Sequence, residues 1–204
     1  MNTLDAKYWD KRYQAQDTGW DTQQISPPLK CYFDQLANKN LSILIPGAGN
    51  SYEAEYLYQN GFKNTYVLDF AQTPLNNFQQ RCPDFPKENL IQEDFFSFTG
   101  RHFDLIVEQT FFCAINPELR STYAHKVAEL LKPQGKLVGL LFNDPLFVEG
   151  PPFGGKREEY LEHFKKQYEI VYFDLCFNSL PPRAGRELFI LLKKRPVWNF
   201  LKSI

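Results

Sequence analysis

The sequence predicts an α/β protein built on one doubly wound, mostly parallel sheet, and three observations lead to this prediction. Short apolar runs alternate with amphipathic helical segments, a pattern that favours strand–helix–strand units with right-handed crossovers. One apolar run leads directly into a Gly-x-Gly turn and a helix, in the stretch LSILIPGAGNSYEAEYL at residues 41–57. The last two apolar runs are separated only by the loop CFNSLPPRAG at residues 176–185, so we expect them to pair as an antiparallel hairpin at one sheet edge.

Seven strands are predicted, several of them as continuous apolar runs of the kind that is buried on both faces of a sheet. They cover residues 42–45, 65–69, 89–92, 103–108, 136–142, 168–175 and 186–194. The chain of 204 residues suffices for one domain with a sizeable core. We expect residues 1–40 to form a helical cap or lid, residues 41–195 the core, and residues 196–204 a C-terminal tail.

Three helices have recognisable starts. Pro27 opens a segment whose apolar residues share one helical face. Asn50 is predicted to cap the helix after the glycine turn, with Glu53 as its reciprocal partner. Asn116 supplies a cap that is followed by a proline and an acid, and the hinge at residues 132–135 is predicted to end that helix and turn the chain into the next strand.

Composition excludes several classes of partner. The 23 basic and 24 acidic residues nearly cancel and form no block of like charge, so nucleic acid and anionic membranes are not expected as partners. No apolar run approaches the length needed to span a membrane, and the N-terminus lacks an apolar signal core. The four cysteines lie far apart, which predicts reduced thiols and no metal site. We expect a soluble, cytoplasmic protein, monomeric at this size.

The glycine turn predicts a nucleoside cofactor. Gly47 and Gly49 permit close backbone approach at the carboxyl end of the first strand, where open α/β sheets bind ligands. Asp69 ends the second predicted strand and is placed to accept hydrogen bonds from both hydroxyls of an adenosine ribose. NAD and S-adenosylmethionine both contain this ribose, so Asp69 does not choose between them.

The start of the following helix favours S-adenosylmethionine. Tyr52 replaces the third glycine of the dinucleotide fingerprint, and the carboxylate of Glu53 would repel a pyrophosphate but attract an ammonium group. The signatures G-x-S-x-G, H-E-x-x-H and the Tyr-x-x-x-Lys pair of short-chain dehydrogenases are absent from the expected places. Two alternatives stay open: an NAD(P)-dependent reductase, and a cofactor-binding protein without transfer activity.

Motifs along nearly the whole chain carry a family resemblance. They include YWDKRYQAQDTGWD near the start, LIPGAGNSYE, VLDF, QEDFF, and the narrow combination of FFCAINPELR with GPPF and PPRAGRE. With these motifs the sequence resembles the class I S-adenosylmethionine-dependent methyltransferases, and more narrowly the thiopurine S-methyltransferase family, which includes plant halide/thiol methyltransferases. The resemblance implies a Rossmann-like fold and methyl transfer to a small thiol or soft anion of the thiopurine, sulfide, thiocyanate or halide type.

The resemblance also implies a set of cofactor-binding residues. They are Trp20, Asp21, Gly47, Gly49, Glu53, Asp69, Asp94, Phe95 and Glu108. The glycines and Glu53 are implied to hold the methionine end of S-adenosylmethionine, and Asp69 the ribose. Asp94 and Phe95 are implied to flank the adenine, whereas Trp20 comes from an N-terminal segment that closes over the cofactor.

The acceptor is expected beside this site. The implied substrate pocket contains Trp20, Pro151, Pro152 and Phe153. The candidate catalytic residues are Glu108, implied to line the cavity, and Arg183 and Arg186. The arginines precede the last strand and would attract an anionic substrate or lower the pKa of a thiol; alternatively, they are solvated surface charges.

Overall fold

A computed structural model describes residues 4–147 and 149–196. Its strands are β1 Ile43–Pro46, β2 Thr65–Asp69, β3 Leu90–Gln92, β4 Phe103–Gln109, β5 Leu131–Phe142, β6 Tyr168–Leu175 and β7 Glu187–Lys194. All seven belong to one sheet in the order β3-β2-β1-β4-β5-β7-β6. Residues 1–3 and most of the expected C-terminal tail, residues 197–204, lie outside the described residues.

The pairing directions confirm the predicted architecture. Strands β3, β2, β1, β4 and β5 run parallel to one another, while β7 pairs antiparallel with both β5 and β6. The chain proceeds outward from β1 to β3 and then returns to form β4 on the other side of β1. The strand order therefore reverses between β1 and β4, the position at which open α/β sheets form a ligand crevice.

Helices cover both faces of the sheet. They are α1 Ala6–Gln14, α2 Pro27–Asp34, α3 Tyr52–Gln59, α4 Gln72–Arg81, α5 Arg120–Leu130 and α6 Arg157–Phe164. On one face, Phe33 of α2, Leu57 of α3 and Phe78 of α4 are buried in the same core cluster. On the other face, Tyr123 of α5 and Phe164 of α6 belong to a second cluster. Among the described residues, no helix has the length and apolar character needed to cross a membrane.

The start of α3 differs from the sequence prediction. The N-cap residue is Ser51, which has left-handed backbone dihedrals (φ 58°) and forms no side-chain cap. The predicted cap at Asn50 is wrong, because the Asn50 amide donates instead to the carboxylate of Asp21 at 2.5 Å. Glu53 was predicted to complete a capping box by accepting the N–H of the cap residue. Its Oε1 instead accepts a hydrogen bond from the Ser26 N–H at 3.1 Å.

Two other local predictions have mixed outcomes. The Asn116 side chain accepts a hydrogen bond from the Glu118 N–H at 3.1 Å, as expected of a cap, and a 3-10 helix over Pro117–Leu119 leads into α5. The hinge at residues 132–135 lies within β5, which begins at Leu131 rather than at the predicted residue 136. There the pairing with β4 shifts register, so the hinge interrupts the ladder without ending the strand.

A glycine in β5 should be intolerant of substitution. A Cβ added at Gly139 would lie 2.4 Å from the Cβ of Glu108 and 2.5 Å from its carbonyl oxygen. Because both neighbours belong to β4 and one is backbone, we predict that Gly139→Ala lowers the free energy of unfolding by about 1–3 kcal/mol. Urea denaturation measures this change.

Gly19→Ala is the matched control, because a Cβ at Gly19 meets nothing within 4 Å and the residue does not have positive φ. Its free energy of unfolding should stay within about 0.5 kcal/mol of the parent value. Equal stability of the two variants would contradict the close approach of β4 and β5.

Candidate active site

A cleft of about 1270 Å³ opens at the carboxyl-terminal ends of β1, β2 and β4. Its walls come from the glycine turn after β1, from residues that follow β2, β3 and β4, from the loop between β5 and α6, and from N-terminal residues between positions 4 and 24. Ligand pockets typically measure about 300–1,000 Å³, so this cleft has room for a nucleoside cofactor together with a small acceptor.

The glycine turn lies directly against two aromatic side chains. Gly47 and Gly49 both have positive φ, 55° and 51°. A Cβ at Gly47 would come within 2.2 Å of the Phe111 ring, and one at Gly49 within 2.7 Å of the Tyr13 hydroxyl. Both positions therefore require glycine for their backbone angles and for the space around them.

Asp69 lies at the end of β2 in the cleft wall, as the sequence predicts. Its two carboxylate oxygens accept hydrogen bonds from the Ala71 N–H at 2.9 Å and the Gly49 N–H at 3.3 Å. Burial raises the pKa of Asp69 to about 6, the two N–H groups oppose this rise, and the charge of Asp10 adds to it. The side chain is thus a buried acceptor that faces a cavity, which suits the hydroxyl groups of a ribose.

Three further predicted cofactor residues also line the cleft. Glu53 is buried in the wall next to the glycine turn, and burial raises its pKa. Asp94 is exposed at the cleft after β3. Phe95 is buried, with its ring edge-to-face against Phe96 at 5.4 Å and Phe111 at 5.3 Å between centroids.

The N-terminal cover, residues 4–26, lies along one side of the cleft and contributes several of its lining residues. Asp10 of α1 accepts a hydrogen bond from the Thr73 N–H of α4 at 2.8 Å, which fixes the helix beside the cleft. Trp20 packs edge-on against Trp9 and Tyr13, with ring centroids 5.5 Å and 5.7 Å away. The guanidinium of Arg12 lies 4.4 Å from the Trp20 ring centroid, within the range of a cation–π contact.

Asp21 fastens this cover to the start of α3. Its Oδ2 accepts hydrogen bonds from the Asn50 amide and from the Tyr52 hydroxyl, the latter at 3.4 Å. Sequence reasoning singled out Trp20 and Asp21 but not Tyr13 or its neighbours in the cluster. The spacing of the aromatic residues in YWDKRY on one helix was the signal that could have identified them.

Glu108 does not line the cleft, which corrects the sequence expectation. Its side chain is 0% exposed and turns back into the protein. Oε1 accepts hydrogen bonds from the N–H groups of Phe111 and Phe112 at 2.8 and 2.9 Å, and Oε2 accepts one from the Tyr123 hydroxyl at 2.6 Å. Glu108 therefore holds the turn after β4, in which Thr110 has an unfavourable φ of 60° for a β-branched residue.

The two candidate arginines both reach the cleft but already have partners. Arg183 is only 8% exposed; it forms an ion pair with Glu187 at 3.2 Å and donates to the Trp20 carbonyl at 2.7 Å. Arg186 is exposed and forms an ion pair with Asp144. Arg183 is therefore not a solvated surface charge, and neither arginine presents an unpaired cation to the cleft.

The acceptor loop, residues 151–153, is expected to bind the methyl acceptor, and it lies in the wall of the cleft. Pro151, Pro152 and Phe153 all line the cleft, and Phe153 donates its N–H to the Cys113 carbonyl at 2.7 Å. The loop is also held by Arg120, which sequence reasoning missed. This buried arginine donates to the carbonyl oxygens of Phe153 and Gly154 at 3.1 and 2.9 Å.

Comparison with solved structures defines the class of fold. The chain superposes on the 1,6-didemethyltoxoflavin-N1-methyltransferase of Burkholderia thailandensis with a TM-score of 0.77, at 15% identity over 95% of this chain and 88% of that chain. It superposes on the N-methyltransferase NodS of Bradyrhizobium japonicum with a TM-score of 0.69, at 18% identity over 94% and 99% of the two chains. The fold is the Rossmann-like fold of class I S-adenosylmethionine-dependent methyltransferases.

Sequence comparison then identifies the family. The model of the thiopurine S-methyltransferase family matches residues 4–188, so the chain belongs to this family and is an S-adenosylmethionine-dependent methyltransferase. The alternatives of a reductase and of a binding protein without transfer activity are therefore set aside.

Several curated proteins match along most of their length. The chain is 30% identical to Probable thiol methyltransferase 2 of Arabidopsis thaliana over 94% of this chain and 86% of that protein. It is 29% identical to Thiocyanate methyltransferase 1 of the same plant, over 91% and 83%. Thiopurine S-methyltransferase of Vibrio cholerae is 26% identical over 98% and 99%.

Asp69 gives the most direct test of cofactor binding in this cleft. Asp69→Ala should weaken binding of S-adenosylhomocysteine, which has the same ribose, by roughly 2–4 kcal/mol, because two charge-assisted hydrogen bonds are lost. The affinity of the parent protein should also fall as the pH drops below about 6, where the carboxylate becomes protonated. Titration calorimetry at several pH values measures both effects.

Asp84→Ala is the control, because Asp84 is exposed and does not line the cleft. Its affinity and pH dependence should equal those of the parent. Unchanged affinity in Asp69→Ala would remove Asp69 from the cofactor site.

The buried carboxylate of Glu108 should make stability depend on pH. Burial raises the pKa of Glu108 to about 7 from an ordinary value of 4.5, although the Tyr123 hydroxyl and the two N–H groups oppose the rise. The stabilisation contributed by the protonated form is complete below pH 4.5 and is lost as the pH rises through about 7. Relative to Glu108→Gln, the parent should therefore lose up to about 3 kcal/mol of unfolding free energy between pH 5 and pH 8.

Denaturant titrations of the two proteins at both pH values test this. Glu88→Gln, a change at an exposed carboxylate, serves as the control and should keep a constant difference from the parent. A constant difference between the parent and Glu108→Gln would show that Glu108 does not titrate in this range.

Proposed function

We propose that this methyltransferase transfers the methyl group of S-adenosylmethionine to the sulfur of a small thiol, or to a related soft anion. The observation that carries this proposal is the chemistry of the cleft wall. Among its described lining residues there is no histidine or lysine, and the carboxylate expected to serve at the end of β4, Glu108, is turned away. The carboxylates of Glu53 and Asp69 do line the cleft, but they already accept backbone hydrogen bonds and are assigned to the cofactor. A nucleophile that ionises in solution needs no general base, unlike an alcohol or an ammonium ion.

The walls at the acceptor end also suit a soft nucleophile. Apolar side chains dominate there: Phe142, Leu146, Phe147, Pro151, Pro152 and Phe153. A polarizable sulfur atom loses less hydration energy than an oxygen anion when it enters such a pocket. The names of the curated relatives point the same way, because they specify thiol, thiocyanate and thiopurine acceptors.

The cofactor supplies an electrophilic methyl group on a positively charged sulfur when it is bound. In the proposed arrangement, Asp69 accepts hydrogen bonds from the ribose hydroxyls. The backbone at Gly47 and Gly49 lies against the methionine end, and the second oxygen of Glu53 faces the ammonium group. Asp94 and Phe95 flank the adenine.

The contribution of the protein is then mainly orientation and the exclusion of water. Holding two reactants in line is worth about 7–11 kcal/mol in well-oriented systems. The turn after β4 and the loop held by Arg120 fix the two sides of the acceptor pocket. Trp20 and the N-terminal cover shield the cleft from solvent, as lids commonly do.

We propose a small-molecule acceptor and a cytoplasmic monomer that has no nucleic-acid or membrane partner. The nearly balanced charge of the chain supports the absence of a polyanionic partner.

Because the proposed acceptor ionises in solution, its own pKa should set the pH dependence of the reaction. For two thiols of different solution pKa, kcat/KM should rise with pH to a plateau, and the midpoint of each rise should follow the pKa of that thiol. An aromatic thiol should therefore reach its plateau at lower pH than an alkyl thiol of similar size. Release of S-adenosylhomocysteine over a range of pH measures both profiles.

Buffer controls without acceptor remove the background release at each pH. A common midpoint for the two thiols would contradict the proposal, because it would show that an ionisable group of the enzyme sets the profile.

A further inference from the structure

The N-terminal cover is tied to the rest of the protein at three points between residues 20 and 26. Asp21 accepts the hydrogen bond from Asn50, and Ser26 donates its N–H to Glu53 at 3.1 Å. Both of these ties lead to the start of α3, on the cofactor side of the cleft. The third tie is the hydrogen bond from Arg183 to the Trp20 carbonyl, and it alone leads to the other side, where β7 begins.

Arg183 is built into this position. Its side chain lies 5.4 Å from the centroid of the Phe142 ring at the end of β5. Its Nη1 contacts the carboxylate of Glu187, which is only 2% exposed, and its Nη2 donates to the Trp20 carbonyl at 2.7 Å. Breaking a buried ion pair of this kind is strongly destabilising, because the loss of either partner leaves an uncompensated charge in the interior.

We propose that Arg183 is a positioning residue that holds the N-terminal cover closed over the cleft. One guanidinium joins the cover, at the Trp20 carbonyl, to the first residue of β7, at Glu187. The ring of Trp20 is thereby held against Trp9 and Tyr13, the aromatic cluster that overlies the cofactor end. Arg183 thus acts through the cover and not as a free cation that attracts an anionic acceptor.

The geometry requires an arginine for this role. The two bonds leave from different nitrogens of one planar group, Nη1 and Nη2. A lysine has a single nitrogen on a flexible stem and does not reproduce this fork, although it keeps the positive charge. Arg183→Lys therefore separates a bridging role from a purely electrostatic one.

The experiment compares the parent with Arg183→Lys and Glu187→Gln. Hydrogen exchange of residues 8–25 is measured with and without S-adenosylhomocysteine, and the dissociation constant of that ligand is measured by calorimetry. We expect Arg183→Lys to lose most of the ligand-induced protection in residues 8–25 and to bind the ligand about tenfold more weakly. Glu187→Gln should change both quantities in the same direction, since it weakens the anchor of Arg183.

A pH profile of thiol methylation adds a readout that distinguishes the two roles. If Arg183 only positions the cover, the midpoint of the profile stays at the parent value in both variants. If Arg183 instead acts through its charge, Glu187→Gln removes the counter-ion and moves the midpoint to lower pH, with protection of residues 8–25 intact. Arg101→Lys, at an exposed arginine outside the cleft, should match the parent in every readout.

Parent-like protection and affinity in Arg183→Lys would overturn the proposal, as would the shifted midpoint in Glu187→Gln. If Arg183→Lys does not fold, Glu187→Gln decides alone. The exchange and affinity measurements use no acceptor, so they keep their meaning even if the protein does not methylate thiols.

Discussion

The three hydrogen bonds of Glu108 hold the turn after β4, and both halves of the cleft depend on that turn. Phe111 of this turn lies so close to Gly47 that no side chain fits between them, and this contact shapes the cleft beside the glycine turn. Two residues further along, the Cys113 carbonyl accepts the N–H of Phe153 and so holds the acceptor loop. The buried carboxylate of Glu108 thus links the glycine turn to the loop at residues 151–153, although its own side chain does not line the cleft.

The same constraint explains why the active-site wall tolerates local strain. Thr110 has a left-handed backbone, which is costly for a β-branched residue and persists only where the surroundings determine it. Here the following two N–H groups are fixed by Glu108, and Glu108 is fixed by Tyr123 from α5. A carboxylate so deeply buried would be unfavourable without these donors, and they satisfy both of its oxygens.

Much of this framework could be predicted from the sequence, because buried strands and glycine turns have strong local signals. The apolar runs located all seven strands, and the acid at the end of β2 was correctly placed in the cleft wall. The roles of Glu108 and Arg183 could not be predicted in the same way. An acid at the end of a strand looks the same whether it faces a cavity or accepts the N–H groups of its own turn. Arg183 donates to the Trp20 carbonyl, which is 163 residues away along the chain. Because every residue has a backbone carbonyl, the sequence does not indicate which one Arg183 binds.

An acceptor with two competing nucleophiles shows whether the cleft directs the methyl group to sulfur, as we propose. 4-Aminothiophenol carries a thiol and an amine on one small ring, so both groups enter the same pocket at the same concentration. With S-adenosylmethionine labelled with ¹³C in the methyl group, NMR of the product identifies the atom that received it. Methyl transfer to sulfur places the label on sulfur alone, whereas label on nitrogen at a comparable rate would show that the cleft does not select sulfur.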